Sequence, residues 1–201
     1  MVTVREVISI PKKPKIPPTP TNASVNRVTI VDLPGIPVDA EVRGRKAYHL
    51  FSTLALIEYA QQYKEPLGFP AAYTQVTART RRALPRFVDA CLLGTDLPAR
   101  RAAQAIARRL GRNLGHILLA LHRGDAVNQA ARSDWTEADW ARWAHFRRIY
   151  VGGGAMSGAL GSLIVQAASD FLAEVGYAAS IQVARAIYPA HMSLVGAGRY
   201  A

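Results

Sequence analysis

The residues best suited to chemistry are Arg147-Arg148-Ile149-Tyr150-Val151-Gly152-Gly153-Gly154-Ala155-Met156-Ser157-Gly158. Ile149, Tyr150 and Val151 are β-branched or aromatic, as a short buried strand requires. Three glycines follow. They allow positive φ and leave no Cβ between the backbone and an approaching group. From Ala159 onward, Leu160, Leu163, Ile164, Ala167, Ala168, Phe171, Leu172 and Val175 recur at helical spacing. A strand, a bare turn and an amphipathic helix together make a place where a phosphate, a ribose or a flat ring can lie. Backbone N–H groups and the positive end of the helix would hold it. The same pattern also serves a turn that only needs tight packing. It is not a P-loop, because no Gly-Lys-Ser/Thr follows. It is not the dinucleotide fingerprint, because the glycines are contiguous and no acidic residue ends the next strand.

Other chemistry-bearing residues do not assemble into a site. The five histidines, His49, His116, His122, His145 and His191, are scattered and read as surface or core residues. Cys91 is the single cysteine, which excludes an internal disulfide and a cysteine-built zinc site and fits a reducing compartment. The 201 residues are half hydrophobic, enough for one domain with a real core. No apolar run reaches the roughly 20 residues that span a bilayer, and no secretory pattern opens the chain. A cytoplasmic protein without membrane contact is expected. The formal charge of +11 is carried mostly by arginine. It suits a polyanion such as nucleic acid, or simply solvated helix faces. Along the sequence the arginines are spread out and not gathered with aromatics into one motif.

The elements that would position the glycine turn follow in chain order. Residues 1–26 form a basic arm or linker: a strand-like Val2–Ile10, then Pro11 to Pro20 with five prolines, extended and not helical. Residues 27–201 form one α/β domain. Val28–Asp32 reads as a strand and Pro34-Gly35 as a turn. Ala47 to Tyr59 reads as a helix stopped by Pro66, Gly68 and Pro70, and residues 71–95 as a basic helix ending near Gly94. Pro98 opens the strongest helix. Its apolar stripe runs from Ala103 to Leu121, with Arg101, Arg108, Arg112 and Arg123 on a solvated back. Gly111 and Gly115 cost that helix about 1 kcal/mol each and are expected to admit a close neighbour, helix or ligand. Asp134 with Glu137 predicts an N-cap. Trp135, Trp140 and Trp143 predict satellite-core packing. Gly176 predicts a C-cap, Ser180–Ile187 a strand, and Ser193 to Gly198 the start of a last short helix.

Residues 98–201 resemble the C-terminal lobe of the ROK-type sugar kinases and bacterial glucokinases, in the actin-like ATPase (ribonuclease H-like) superfamily. The resemblance rests on Ala105-Ile106-Ala107-Arg108-Arg109-Leu110-Gly111-Arg112-Asn113-Leu114-Gly115, then Ile149 to Gly154, then Pro189 through Gly198. Asp89-Ala90-Cys91 to Asp96 resemble the segment before that helix. The likeness implies a helix-rich α/β lobe with a mixed sheet flanked by helices. It implies ATP or ADP, with Mg2+, as the ligand. It also implies that Gly152, Gly153 and Gly154, with Ala155 and Ser157, touch the nucleotide.

The chain departs from that family elsewhere. Asp32-Leu33-Pro34-Gly35-Ile36 stands where an Asp-x-Gly-Gly-Thr phosphate loop would be, but proline removes an N–H and Ile36 lacks the hydroxyl. A catalytic Asn-Asp pair and the family's structural zinc cluster are missing, so no zinc and no catalytic residue are assigned. The resulting expectation is a nucleotide-binding lobe, incomplete as a sugar kinase on its own. A second polypeptide or another copy would cover the missing lobe. The alternative expectation is a non-enzymatic protein that binds nucleic acid through its basic surface, or an assembly subunit.

Overall fold

A computed structural model of the chain describes residues 25–74 and 77–189. The proline arm, apart from its last two residues, lies outside the described residues, as does the short helix expected from Ser193. Among the described residues the fold is helix-rich, with two separate pairs of strands. It is organised around α5 (Leu97–Arg123), 27 residues long. Asp96 caps it by accepting the Ala99 N–H at 3.3 Å, and Gly124 closes it at φ 54°. The first half of α5 has the expected basic back, with Arg101 and Arg108 exposed. The second half does not, because every residue from Asn113 to Leu121 is buried. Along its length α5 packs against α1 (Ala47–Leu50), α2 (Thr53–Gln62), α3 (Lys64–Leu67), α4 (Ala78–Leu93), α7 (Glu137–Ala144) and above all α8 (Ala159–Glu174).

Gly111 and Gly115 explain the closeness of α5 and α8. A Cβ at 111 would collide with the Ile164 carbonyl and the Ala167 methyl, and one at 115 would meet the Phe171 ring. The neighbour these glycines admit is therefore a helix. The crossing is tied at its rim by Arg112. Its guanidinium donates to Asp39 at 3.0 Å and to Glu174 at 2.7 Å, and lies over the Phe171 ring at 4.8 Å.

The N-terminal strand is shorter than expected. β1 (Thr29–Ile30) pairs antiparallel with β2 (Arg45–Lys46), leading directly into α1. Pro34 and Gly35 form the centre of a β-turn closed by Ile36 N–H to Leu33 O at 2.8 Å, with Gly35 at φ 80°. The helix expected over residues 47–59 is broken at Ser52. Its hydroxyl accepts the N–H groups of Leu54 and Ala55 and starts α2 afresh.

The N-cap expected at Asp134 lies instead at Thr136, which shares a capping box with Asp139. Asp134 is engaged elsewhere, by Arg27 at 3.1 Å and Arg132 at 3.0 Å. Trp135 packs edge-to-face on the buried Trp140, and Trp143 on Phe146, so the tryptophans do pack as a satellite of the core. β3 (Arg148–Val151) pairs parallel with β4 (Gln182–Arg185), with Ile149 opposite Val183. β4 starts later than the alternation from Ser180 predicts. The N–H groups of Ser180 and Ile181 are held in a turn by the Tyr177 carbonyl. Past α8, Gly176 adopts φ 81°. The Tyr177 N–H reaches back to Leu172 O at 2.7 Å, a glycine stop of the expected kind.

Candidate functional site at the glycine corner

β3, the glycine turn, α8 and β4 form a strand–helix–strand unit whose corner is residues 152–158. The ladder continues past the last strand pair: Ala186 N–H donates to Val151 O at 3.0 Å and Gly153 N–H to Pro189 O at 2.7 Å. The second bond pins the turn to the segment that follows β4. Gly153 has φ 110°, a conformation L residues rarely adopt, so the backbone itself demands glycine there. Gly154 is different. It lies outside the left-handed region, it opens a 3-10 turn (Gly154–Met156), and a Cβ built on it meets nothing within 4 Å. Among the described residues nothing in the fold requires Gly154 to be glycine. Its N–H and that of Ala155 have no acceptor among the described residues.

The corner faces an open cavity of about 180 Å³. Gly152, Gly153, Gly154, Ala155 and Met156 form one wall, Phe51, Ser52, Thr53 and Leu56 a second, and Leu110 and Ile164 the floor. The second wall is the capped start of α2, which no residue spacing ties to the corner. Four of the five residues expected to touch a ligand, Gly152, Gly153, Gly154 and Ala155, therefore line one cavity. Ser157 does not line it. Its hydroxyl turns back to donate to the Gly154 carbonyl at 2.7 Å and closes the turn. The lining is mainly apolar, with the two hydroxyls of Ser52 and Thr53 and no carboxylate. At roughly 300–1,000 Å³ ordinary small-molecule pockets are larger, so this one suits a single flat ring system, with the rest of a ligand outside.

The positive end of α8 is not open to a phosphate. Asp89, from α4, accepts the Leu160 N–H at 2.7 Å and fills the space beside Gly158. The expectation that this helix end would receive the ligand's charge is corrected: the chain supplies its own anion there. Arg185, at the end of β4, donates to the Gly158 carbonyl and the Ser162 hydroxyl, both at 3.2 Å.

The segment that stands for a phosphate loop lies elsewhere. Asn128, fully buried in α6 (Ala126–Ala130), accepts the N–H groups of Val31 and Asp32 at 2.8 and 3.3 Å and donates to Asp32 O at 2.8 Å. Arg123 donates to Pro34 O at 2.9 Å, and Asp32 pairs with Arg43 at 3.0 Å. No residue from 32 to 36 lines the cavity.

Two histidines are structural. His116 is fully buried, bonds the Arg112 carbonyl through Nδ1 at 3.0 Å and stacks on Phe171 at 4.2 Å. Burial pushes the affinity of His116 for a proton down, and that of His122 likewise. Among the described residues no group of three or more His, Cys, Asp or Glu side chains is placed to hold a metal ion. Nor is any helix among them long and apolar enough to cross a membrane. Comparison with known proteins finds no match: no family model, no curated protein and no solved structure aligns with the chain.

Proposed function

We propose that the 152–155 corner binds the base of an adenine nucleoside or nucleotide, in a lobe related to the C-terminal lobe of the ROK-type sugar kinases and the actin-like ATPases. The observation that carries this reading is Gly154. It lines an open cavity without the backbone conformation or the close packing that would explain a glycine there. A missing side chain that the fold does not need leaves room for something the fold does not contain. The β3–turn–α8–β4 order, on which the resemblance to that family rests, is a second support. The resemblance implies a nucleotide carrying Mg2+. The cavity wall offers no carboxylate for the ion, so the proposal is a binding site with no catalytic residue assigned. Sugar phosphorylation would need a base and a phosphate cradle from another lobe.

Because Asp89 already occupies the end of α8, binding is led by the base and not by the phosphates. Adenosine and ADP should therefore bind within about tenfold of one another, a difference of about 1.4 kcal/mol. Calorimetry with both ligands on the full chain tests this. Gly154→Leu, which fills the cavity mouth where nothing stands, should remove the heat while the melting temperature stays unchanged. A folded wild-type sample that gives no heat with millimolar adenosine or ADP overturns the reading. So does an unaltered affinity in Gly154→Leu.

A further inference from the structure

A second cavity, far larger at about 640 Å³, lies along α4 and is lined by Tyr73, Arg79, Arg82, Ala83, Arg86 and Phe87. Arg79, Arg82 and Arg86 stand three and four residues apart, so they project from one face of the helix. All three are exposed, and none makes an ion pair or hydrogen bond with any described residue. Elsewhere Arg43, Arg45, Arg109, Arg112 and Arg123 each hold a carboxylate. The α4 trio is thus a local concentration of unneutralised guanidinium. Beside it, Phe69, Tyr73 and Phe87 form an edge-to-face triad with centroids 5.8–6.1 Å apart. Two of these rings, Tyr73 and Phe87, reach the cavity wall. All six lining residues fall between Tyr73 and Phe87, and the turn of α4 brings the arginines and aromatics into one groove.

We propose that this groove binds single-stranded nucleic acid. The helical rise puts successive arginines about 4.5 and 6 Å apart along the axis. A repeating anion such as a phosphodiester backbone meets such a row. Guanidinium is the group that grips phosphate in a planar, bidentate way, and arginine alone supplies it here. The half-buried rings give a base a flat face to stack on. A membrane surface would call for apolar side chains projecting beyond the arginines, but Tyr73 and Phe87 are recessed as part of the wall. A duplex hides its base faces and would use only the charge.

The test is fluorescence anisotropy of the full chain with a labelled single-stranded oligonucleotide of mixed sequence, read over a series of salt concentrations. The triple variant Arg79→Gln/Arg82→Gln/Arg86→Gln should bind at least tenfold more weakly. Its log-affinity slope against log salt should be shallower by about 2, from three phosphate contacts at about 0.7 each. Tyr73→Ala should weaken binding severalfold and leave the slope unchanged, because stacking is not ionic. The control Arg101→Gln/Arg108→Gln removes two exposed charges of α5 outside the groove and should shift affinity less than threefold. The basic N-terminal arm is common to all four proteins, so the comparison isolates the groove. Equal weakening in groove and control variants overturns the proposal, as does equal affinity for duplex with no effect of Tyr73→Ala. The absence of oligonucleotide binding at low salt also overturns it. Capture of phosphatidylserine vesicles in preference to the oligonucleotide, lost in the same triple variant, would overturn it in favour of a membrane surface.

Discussion

The carboxylate of Asp89 occupies the space that a Cβ of residue 158 would fill, and from there Oδ1 accepts the Leu160 N–H at 2.7 Å. Gly158 is the N-cap of α8 and has no side chain to cap with, so the cap comes from another helix. A carboxylate bonded to a helix-start amide is worth about 1.5–3 kcal/mol. Asp89→Ala should lower stability in urea unfolding by about 2 kcal/mol. Gly158→Ala should cost a similar amount, because its methyl expels the carboxylate. The double variant should then lose little more than Asp89→Ala alone, giving a coupling of about 1–2 kcal/mol. Additive losses would show that the two residues act separately.

Gly111 separates two effects of opposite sign. Alanine improves intrinsic helix propensity by about 1 kcal/mol. It also drives a methyl into the Ile164 carbonyl and the Ala167 methyl of α8. Overpacking costs about 1–3 kcal/mol, and the backbone atoms and short methyl of α8 cannot step aside as the end of a flexible side chain would. Gly111→Ala should therefore destabilise the protein, by up to about 2 kcal/mol. Gly154→Ala, facing open space, should stay within about 0.5 kcal/mol of wild type. Chemical denaturation of the two variants side by side decides it.

Asn128 holds the 31–32 segment through three hydrogen bonds from a fully buried position. Asn128→Ala strands two backbone N–H groups and one carbonyl, at about 1–3 kcal/mol for each group left unpaired. A loss of about 3 kcal/mol in unfolding free energy is expected. Asn128→Asp keeps the acceptor, loses the donor and buries a carboxylate. It should lose stability as well, and more of it at neutral pH than at acid pH. Equal loss at both pH values would mean the charge plays no part.

Much of this architecture is legible in the order of residues because it is local. The strand at 149–151 (half-exposed, with Tyr150 out, and not buried as its residue types suggest), the glycine turn, the helix from Ala159 and the stops at Gly124 and Gly176 depend on periodicity and on residues with special backbone freedom. What is not legible depends on groups distant in the chain. The apolar stripe of α5 predicts one buried face, but neighbours from both halves of the chain surround its second half. Gly158 reads as part of a glycine-rich turn, and nothing nearby reveals that Asp89 fills its place. Asp134 looks like a cap until Arg27 and Arg132 take its oxygens. The cavity at the corner needs Phe51, Ser52 and Thr53, a hundred residues earlier, and no spacing rule joins them to Gly154. The arginine groove is the same lesson in reverse: its residues are ordinary one by one, and only helix geometry aligns them.

Burial of His116 should make stability fall in mild acid. It is fully buried between α5 and α8, stacked on Phe171, and burial holds its proton affinity below the ordinary value of 6.5. His122, also on α5, is displaced the same way and for the same reason. In the unfolded chain both protonate as pH falls through about 6.5, but in the native state they stay neutral to lower pH. Over that interval the unfolded state binds more protons, so stability is full above pH 6.5 and falls as the solution is acidified. The nearby Asp39 and the Arg112 carbonyl favour the charged form, and the Arg112 guanidinium opposes it. The carboxylate of Glu174, held low by Arg112, does not titrate until well below this range. Urea midpoints measured between pH 7.5 and 5 should therefore decline. His116→Gln should start lower, for lost packing on Phe171, and decline less. A wild-type midpoint that stays level across this interval would mean His116 is already charged in its buried site.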